Sequence, residues 1–108
     1  MIKVKIVLDE EKIIRERKYS LEKIWNVIDN AFLSKNIRIE EKGLYVGTDH
    51  PHDYANFGLV CMGLEDQEWF FTNVKEWKFF NNAMLENKYE YAEEDFLKQA
   101  KLYKAGFR

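Results

Sequence analysis

The chain has 108 residues, of which 46% are hydrophobic and 33% are charged, and its formal net charge is −2. This composition fits one folded domain spanning residues 1–108 and excludes a disordered chain. The acidic balance argues against a protein that neutralises many phosphates, so a nucleic-acid partner is disfavoured.

Cysteine and hydropathy patterns indicate the compartment. Cys61 is the only cysteine, so an intrachain disulfide is excluded, which suits a reducing environment. No apolar run approaches the roughly 20 residues that a membrane helix needs. The opening residues also lack the apolar stretch of a signal peptide. We therefore expect a cytoplasmic protein without membrane contact.

The N-terminal third predicts two strands and a helix. Residues 2–8 alternate apolar side chains with lysines, which is typical of a strand with one buried face. Residues 12–19 carry charges on both faces of an extended chain and predict a short edge strand. Residues 20–35 place apolar side chains at helical spacing, with Ser20 as N-cap and Asn36 as a left-handed end.

The middle of the chain predicts a hairpin and an interior strand. Residues 37–46 read as two short antiparallel strands that turn at Gly43. Residues 57–63 are apolar on both alternating faces, which predicts a central strand covered on both sides. Such a sheet needs cover on its second face as well, and either the aromatic segment at residues 69–80 or a second subunit would supply it. This reasoning favours a homodimer.

The C-terminal third predicts a short helix near residues 67–74, a strand near 76–80 and a second long helix over about 92–105. Together with the preceding segments, these elements define an α+β fold. Its sheet is mostly antiparallel and carries two longer helices, at about 20–35 and 92–105.

A histidine loop is the first candidate site. Asp49, His50, His52 and Asp53 surround a proline, and imidazole and carboxylate groups are ligands that divalent metals such as zinc accept. The alternative is a connecting loop in which the two aspartates bond to nearby backbone amides. No other residue in the sequence is nominated as a further ligand.

An aromatic segment is the second candidate site. Residues 69–80 contain six large rings, which do not easily all face one core. Exposed rings favour protein partners, and the residues predicted to make such contacts are Trp69, Phe71, Trp77 and Phe80. The alternatives are that the rings form the main core, or that they stack on single-stranded bases.

These features lead to three functional hypotheses. The first is a non-enzymatic protein that acts through protein–protein contacts, as a regulator or inhibitor would. The second is a metal-binding protein or metal-dependent enzyme built on the histidine loop. The third is a single-strand nucleic-acid binder that uses Lys3, Lys5, Arg15 and Arg17 together with nearby rings. Cys61 lies in an apolar segment, where a thiol is inert, so no nucleophile is nominated.

Overall fold

A computed structural model describes residues 2–48, 51–81 and 92–104. These residues form an α+β fold in which one antiparallel sheet packs against helices. The elements, in chain order, are β1 (Ile2–Leu8), α1 (Glu10–Glu16), α2 (Leu21–Leu33), β2 (Arg38–Glu41), β3 (Leu44–Val46), α3 (Asp53–Glu65), α4 (Glu68–Phe71), β4 (Val74–Asn81), β5 (Ala92–Asp95) and α5 (Phe96–Lys104).

The sheet has five strands in the order β2-β3-β1-β4-β5, so the N-terminal strand lies at its centre. Along β1 the side chains of Val4 and Ile6 are buried, whereas Lys5 is exposed. This alternation is the one that the sequence predicted, and it divides the sheet into a core face and an open face.

The helices lie on the core face of the sheet. Each helix supplies side chains to the same apolar cluster as the inward-pointing residues of β1, β3 and β4. One member from each helix, in chain order, is Ile13, Ile24, Phe57, Phe70 and Leu97. The result is a two-layer domain with a single core.

Helix α2 forms where the sequence predicted it. The Ser20 hydroxyl oxygen accepts a hydrogen bond from the Lys23 backbone N–H at 3.4 Å, which caps the first turn. Ile28 and Phe32 are fully buried on its inner side. Asn36 has φ +60°, the left-handed conformation expected after the helix.

The hairpin between β2 and β3 also agrees with the sequence. Gly43 has φ +83° at the turn, and its carbonyl oxygen accepts a hydrogen bond from the Ile6 backbone N–H at 2.7 Å. Tyr45 of β3 is fully buried and stacks on Phe32 with ring centroids 4.0 Å apart. The turn therefore fixes the hairpin against β1 while Tyr45 anchors it to α2.

The predicted central strand at residues 57–63 is wrong, because this segment lies within helix α3. Its buried side chains are Phe57, Val60, Cys61 and Leu64, which follow helical spacing. A short run that is apolar at every position satisfies both a strand and a helix pattern, so periodicity alone does not separate the two.

This correction removes the sequence argument for a homodimer. With residues 57–63 in helix α3, the argument that this segment is a central strand needing apolar cover on both faces no longer applies. The open face carries charged side chains: Lys5 lies opposite Lys78, and both ammonium groups contact the Glu76 carboxylate, at 3.3 and 3.6 Å. Such exposed ion pairs are compatible with a solvated surface.

The predicted edge strand at residues 12–19 is also wrong. Residues 10–16 form α1, whose start is capped by the Asp9 carboxylate, which accepts a hydrogen bond from the Lys12 backbone N–H at 3.2 Å. Only Ile13 is buried, and Arg17 ends the helix at φ +54°. A single buried apolar residue leaves almost no periodic signal in the sequence.

The C-terminal elements are shifted from their predicted bounds. The short helix α4 covers four residues rather than the whole of 67–74. The last helix begins at Phe96 instead of residue 92, because residues 92–95 pair with β4 as β5. Glu93 and Glu94, which fall within the predicted helix, lie in this strand.

Candidate protein-contact surface on helices α2 and α3

Helix α3 exposes apolar side chains on the side that faces away from the core. The exposed fractions are 63% for Tyr54, 58% for Leu59 and 66% for Met62. Residues 54–64 contain no charged residue. A helix on the surface of a globular protein ordinarily places charged or polar residues on its outer face. An outer face without them is typical of a surface that another molecule covers.

Two glycines lie on the same exposed side of α3. A Cβ added at Gly58 or Gly63 would have no heavy atom within 4 Å. Glycine inside a helix costs roughly 0.5–1 kcal/mol relative to alanine, and packing within the described domain does not require either one. Both leave the helix backbone accessible for a close approach from outside.

A groove separates α2 from α3 and α4, and it consists of two adjoining cavities. The larger has a volume of about 480 Å³ and the smaller about 340 Å³. Val27 and Trp69 line both cavities. The other principal lining residues are Ala31, Leu59, Val60, Gly63 and Leu64 in the larger cavity, and Tyr19, Ser20 and Ile24 in the smaller one.

We call the α2–α3 surface the patch formed by four exposed residues and two half-buried ones, which are Val27, Leu59, Met62 and Gly63, and Ala31 and Trp69. Val27 is 52% exposed and lies across the larger cavity from Leu59. Met62 follows Leu59 by three residues, so the two side chains are neighbours on one helix face. The patch is therefore continuous across both helices.

Trp69 is held in place at the point where the two cavities meet. Its indole N–H donates to the Gln67 side-chain oxygen at 3.1 Å, and its ring packs edge-on against Phe70 at 6.2 Å. Its carbonyl oxygen accepts a hydrogen bond from the buried Asn73 side chain at 2.8 Å. Because ring and backbone are both restrained, Trp69 is a preorganised anchor for a partner.

The charged residues that line the groove are all lysines. Lys18 and Lys23 border the smaller cavity and Lys35 borders the larger one. No described aspartate or glutamate lines either cavity. The exposed side chains of Asp66 and Glu68 are adjacent to Gln67 in the chain but lie outside the lining.

The four aromatic residues predicted to contact a partner fall in different places. Trp69 belongs to the α2–α3 surface. Trp77 is 2% exposed and packs against Phe70 and Phe96, so it belongs to the core rather than to a contact surface. Phe71 is half-buried outside the groove, and Phe80 is half-buried on the open face of the sheet, opposite Lys3.

Sequence reasoning missed Val27, Leu59 and Met62. The two α3 residues fall in the segment that the sequence predicts as an interior strand, and Val27 lies on the exposed side of the predicted helix at residues 20–35. The signal that would have found them is the absence of charge over residues 54–64 combined with helical spacing of Phe57, Cys61 and Leu64.

The cations of the nucleic-acid hypothesis do not form one surface. Lys3 and Lys5 lie on the open face of the sheet, whereas Arg15 and Arg17 lie at the end of α1, in the helical layer. Lys5 already contacts Glu76 at 3.3 Å. The arrangement does not provide the continuous basic track that a single strand needs.

The histidine loop is only partly described. Asp49 and His50 lie outside the described residues. His52 is exposed, whereas Asp53, the first residue of α3, is 6% exposed. Within residues 2–48, 51–81 and 92–104, no three His, Cys, Asp or Glu side chains are placed to hold a metal ion. The divalent-metal hypothesis stays a prediction.

Cys61 is buried on the inner side of α3. Burial raises the pKa of its thiol to about 12; the Trp77 indole N–H works in the opposite direction, and the nearby Glu65 charge raises the pKa further. A thiol in this environment stays protonated and unreactive at neutral pH. Cys61 is therefore a packing residue of the core and not a nucleophile.

Comparison with known proteins found no matching protein-family model, curated protein or solved structure. Within the described residues, no helix is long and apolar enough to cross a membrane.

Proposed function

We propose that this chain is a small protein-binding module that contacts its partner through the α2–α3 surface. The observation that carries the proposal is the uncharged outer face of α3, with Leu59 and Met62 both more than half exposed. The function remains the protein–protein contact expected from the sequence, but the surface shares only Trp69 with the aromatic segment.

Energetics support this assignment. Burying a Leu or Met side chain completely is worth about 1.5–3 kcal/mol, so covering the exposed part of each would contribute about 1–2 kcal/mol. Val27 and Trp69 add further apolar area at the same place. A few such residues around one fixed aromatic anchor provide the binding energy of a typical contact site.

The groove is suited to binding a partner rather than to catalysis. Its lining consists of apolar side chains, the hydroxyls of Tyr19, Ser20 and Ser34 and the amide of Gln67, bordered by lysines. Packing and hydrogen bonding are what these groups offer a partner. This chemistry agrees with a regulator, inhibitor or adaptor.

A site-specific cross-linking experiment tests the proposal. A photo-reactive phenylalanine analogue replaces Leu59 in one variant and Ile14 in a control variant. Ile14 is 62% exposed and lies on α1, outside the α2–α3 surface. We expect the Leu59 probe to cross-link one defined protein that the Ile14 probe does not, and the purified partner to bind the unmodified chain.

The substitution Leu59→Asp should weaken binding of that partner at least about tenfold, because it places a charge in an apolar contact. Ile14→Asp should leave binding unchanged. Circular dichroism should show that both variants fold, since both positions are exposed. Equal cross-linking from both probes, or full binding by the Leu59→Asp variant, contradicts the proposal.

A further inference from the structure

We propose that the occupant of the groove is an acidic amphipathic helix presented by another protein. This inference rests on the proposed function and specifies the chemistry of the partner. It is carried by the shape of the groove, by the sign of the charges along it and by the symmetry that a second copy would impose.

The shape of the groove fits a helix. The lining follows α2 from Ser20 through Val27 to Lys35, and a helix of 13 residues is about 20 Å long. Two apolar cavities joined at Trp69 match the way an amphipathic helix inserts side chains spaced three and four residues apart. A partner helix of three to four turns would span the groove.

The charge of the groove specifies the flanks of that helix. Lys18 and Lys23 lie at one end and Lys35 at the other, and all three are exposed. Within the described chain, none of the three ammonium groups forms an ion pair with a carboxylate. Glutamates or aspartates beside the apolar stripe of the partner would meet these cations, and lysines there would be repelled.

A second copy of this chain is a poor occupant of the groove. In a symmetric dimer the same patch faces itself, so every contact occurs twice. Two grooves placed face to face would bring six lysines to one interface. Like charges at an interface suppress such pairing. The charge pattern therefore favours a different, acidic partner.

Nuclear magnetic resonance with designed peptides tests this inference. Two 14-residue peptides carry leucine at positions spaced three and four residues apart, one with glutamate and the other with lysine at the remaining positions. The three tryptophan indole N–H signals of the chain are separate reporters, because Trp25 and Trp77 are buried whereas Trp69 lies in the groove.

We expect the glutamate peptide to shift the Trp69 indole signal and the amide signals of Val27 and Leu59, and to leave Trp77 unchanged. The lysine peptide should bind at least about tenfold more weakly. A variant with Lys18→Glu, Lys23→Glu and Lys35→Glu should reverse this preference. A matched control with Lys98→Glu and Lys101→Glu, two exposed positions on α5, should retain it.

Several results would overturn the inference. These are equal binding of both peptides, no binding of the glutamate peptide, tighter binding of a thymidine 15-mer at the same residues, or concentration-dependent shifts at Trp69 without any peptide. If the Leu59 probe still cross-links a protein, the proposed function survives such a result. If the Leu59 probe also fails to cross-link a protein, both this inference and the proposed function are wrong.

Discussion

Gly43 shows how one residue fixes the position of a hairpin. Its φ of +83° is strained for any residue with a side chain, and a Cβ there would overlap the carbonyl oxygen of Ile6. The same residue accepts the 2.7 Å hydrogen bond from the Ile6 backbone N–H. The central strand and the hairpin are thus joined at a point that only glycine fits.

The substitution Gly43→Ala should lower the free energy of unfolding by about 3 kcal/mol, since it combines backbone strain with a steric overlap that only backbone movement relieves. Urea denaturation followed by tryptophan fluorescence measures the change. A loss below about 0.5 kcal/mol would show that the turn is not held as described.

The buried thiol of Cys61 predicts that the folded protein loses stability at alkaline pH. Its pKa is raised from 9.0 to about 12 by burial, with opposing effects from Trp77 and Glu65. Between these two values the unfolded chain binds fewer protons than the folded chain, so stability falls as the pH rises. The stability that the protonated Cys61 thiol contributes is fully present below pH 9 and is lost progressively as the pH rises to 12.

The variant Cys61→Ala should therefore lose less stability than the parent chain between pH 9 and pH 11, by roughly 2 kcal/mol. The quantity compared is the slope of the free energy of unfolding against pH, because the substitution itself also removes packing and lowers stability at every pH. Urea denaturation at pH 8, 9, 10 and 11 gives both slopes. Parallel slopes would mean that the thiol titrates normally in the folded protein.

Helix α3 is the element on which the architecture depends. If the segment is helical, then Gly58 and Gly63 are positions where alanine is favoured by propensity and meets no neighbour. In a central strand, these glycines would instead have marked a bulge or a close backbone approach. The two structures therefore predict opposite effects of the same substitution.

Gly58→Ala and Gly63→Ala should each raise the free energy of unfolding by about 0.5–1 kcal/mol. Thermal denaturation monitored at 222 nm measures the change, with Gly43→Ala as the glycine variant expected to change in the other direction. Destabilisation by both helix substitutions would contradict the assignment of residues 53–65 to a helix.

The elements that the sequence predicted correctly are those with independent local signals. Helix α2 has a capping serine, an apolar stripe and a left-handed asparagine, and the hairpin has a glycine at its turn. Helix α3 lacks the contrast between an apolar inner face and a charged outer face, because residues 54–64 include no charged side chain. Its start was also missed, because Pro51 and His52, which form the turn before the helix, belong to a segment that the sequence predicted as a metal-binding loop.

At the scale of the whole molecule, the sequence predicted an α+β fold with an antiparallel sheet, and this is confirmed. The strand order could not be predicted from the sequence, because the pairing between β1 and β4 joins residues some 70 positions apart and leaves no local pattern. Moving the apolar segment from the sheet into the helical layer changed the location of the exposed apolar surface, and with it the candidate site.

The resulting molecule has two unlike outer surfaces. The open face of the sheet carries paired charges such as Lys5 and Glu76, whereas the helical layer exposes the apolar α2–α3 surface. A charged face suits contact with water, and an uncharged apolar face suits a partner. Leu59 and Met62 are more than half exposed in the free protein, and we expect a partner to cover both in the complex.

Hydroxyl-radical footprinting measures that exposure residue by residue in the free chain and in the complex with the partner identified by cross-linking. We predict strong labelling of Leu59 and Met62 in the free chain, a drop of at least about fivefold in the complex on burial of the apolar contact, and unchanged labelling of Ile14. Protection of Leu59 and Met62 in the free monomer, or undiminished labelling of both in the complex, would contradict the account.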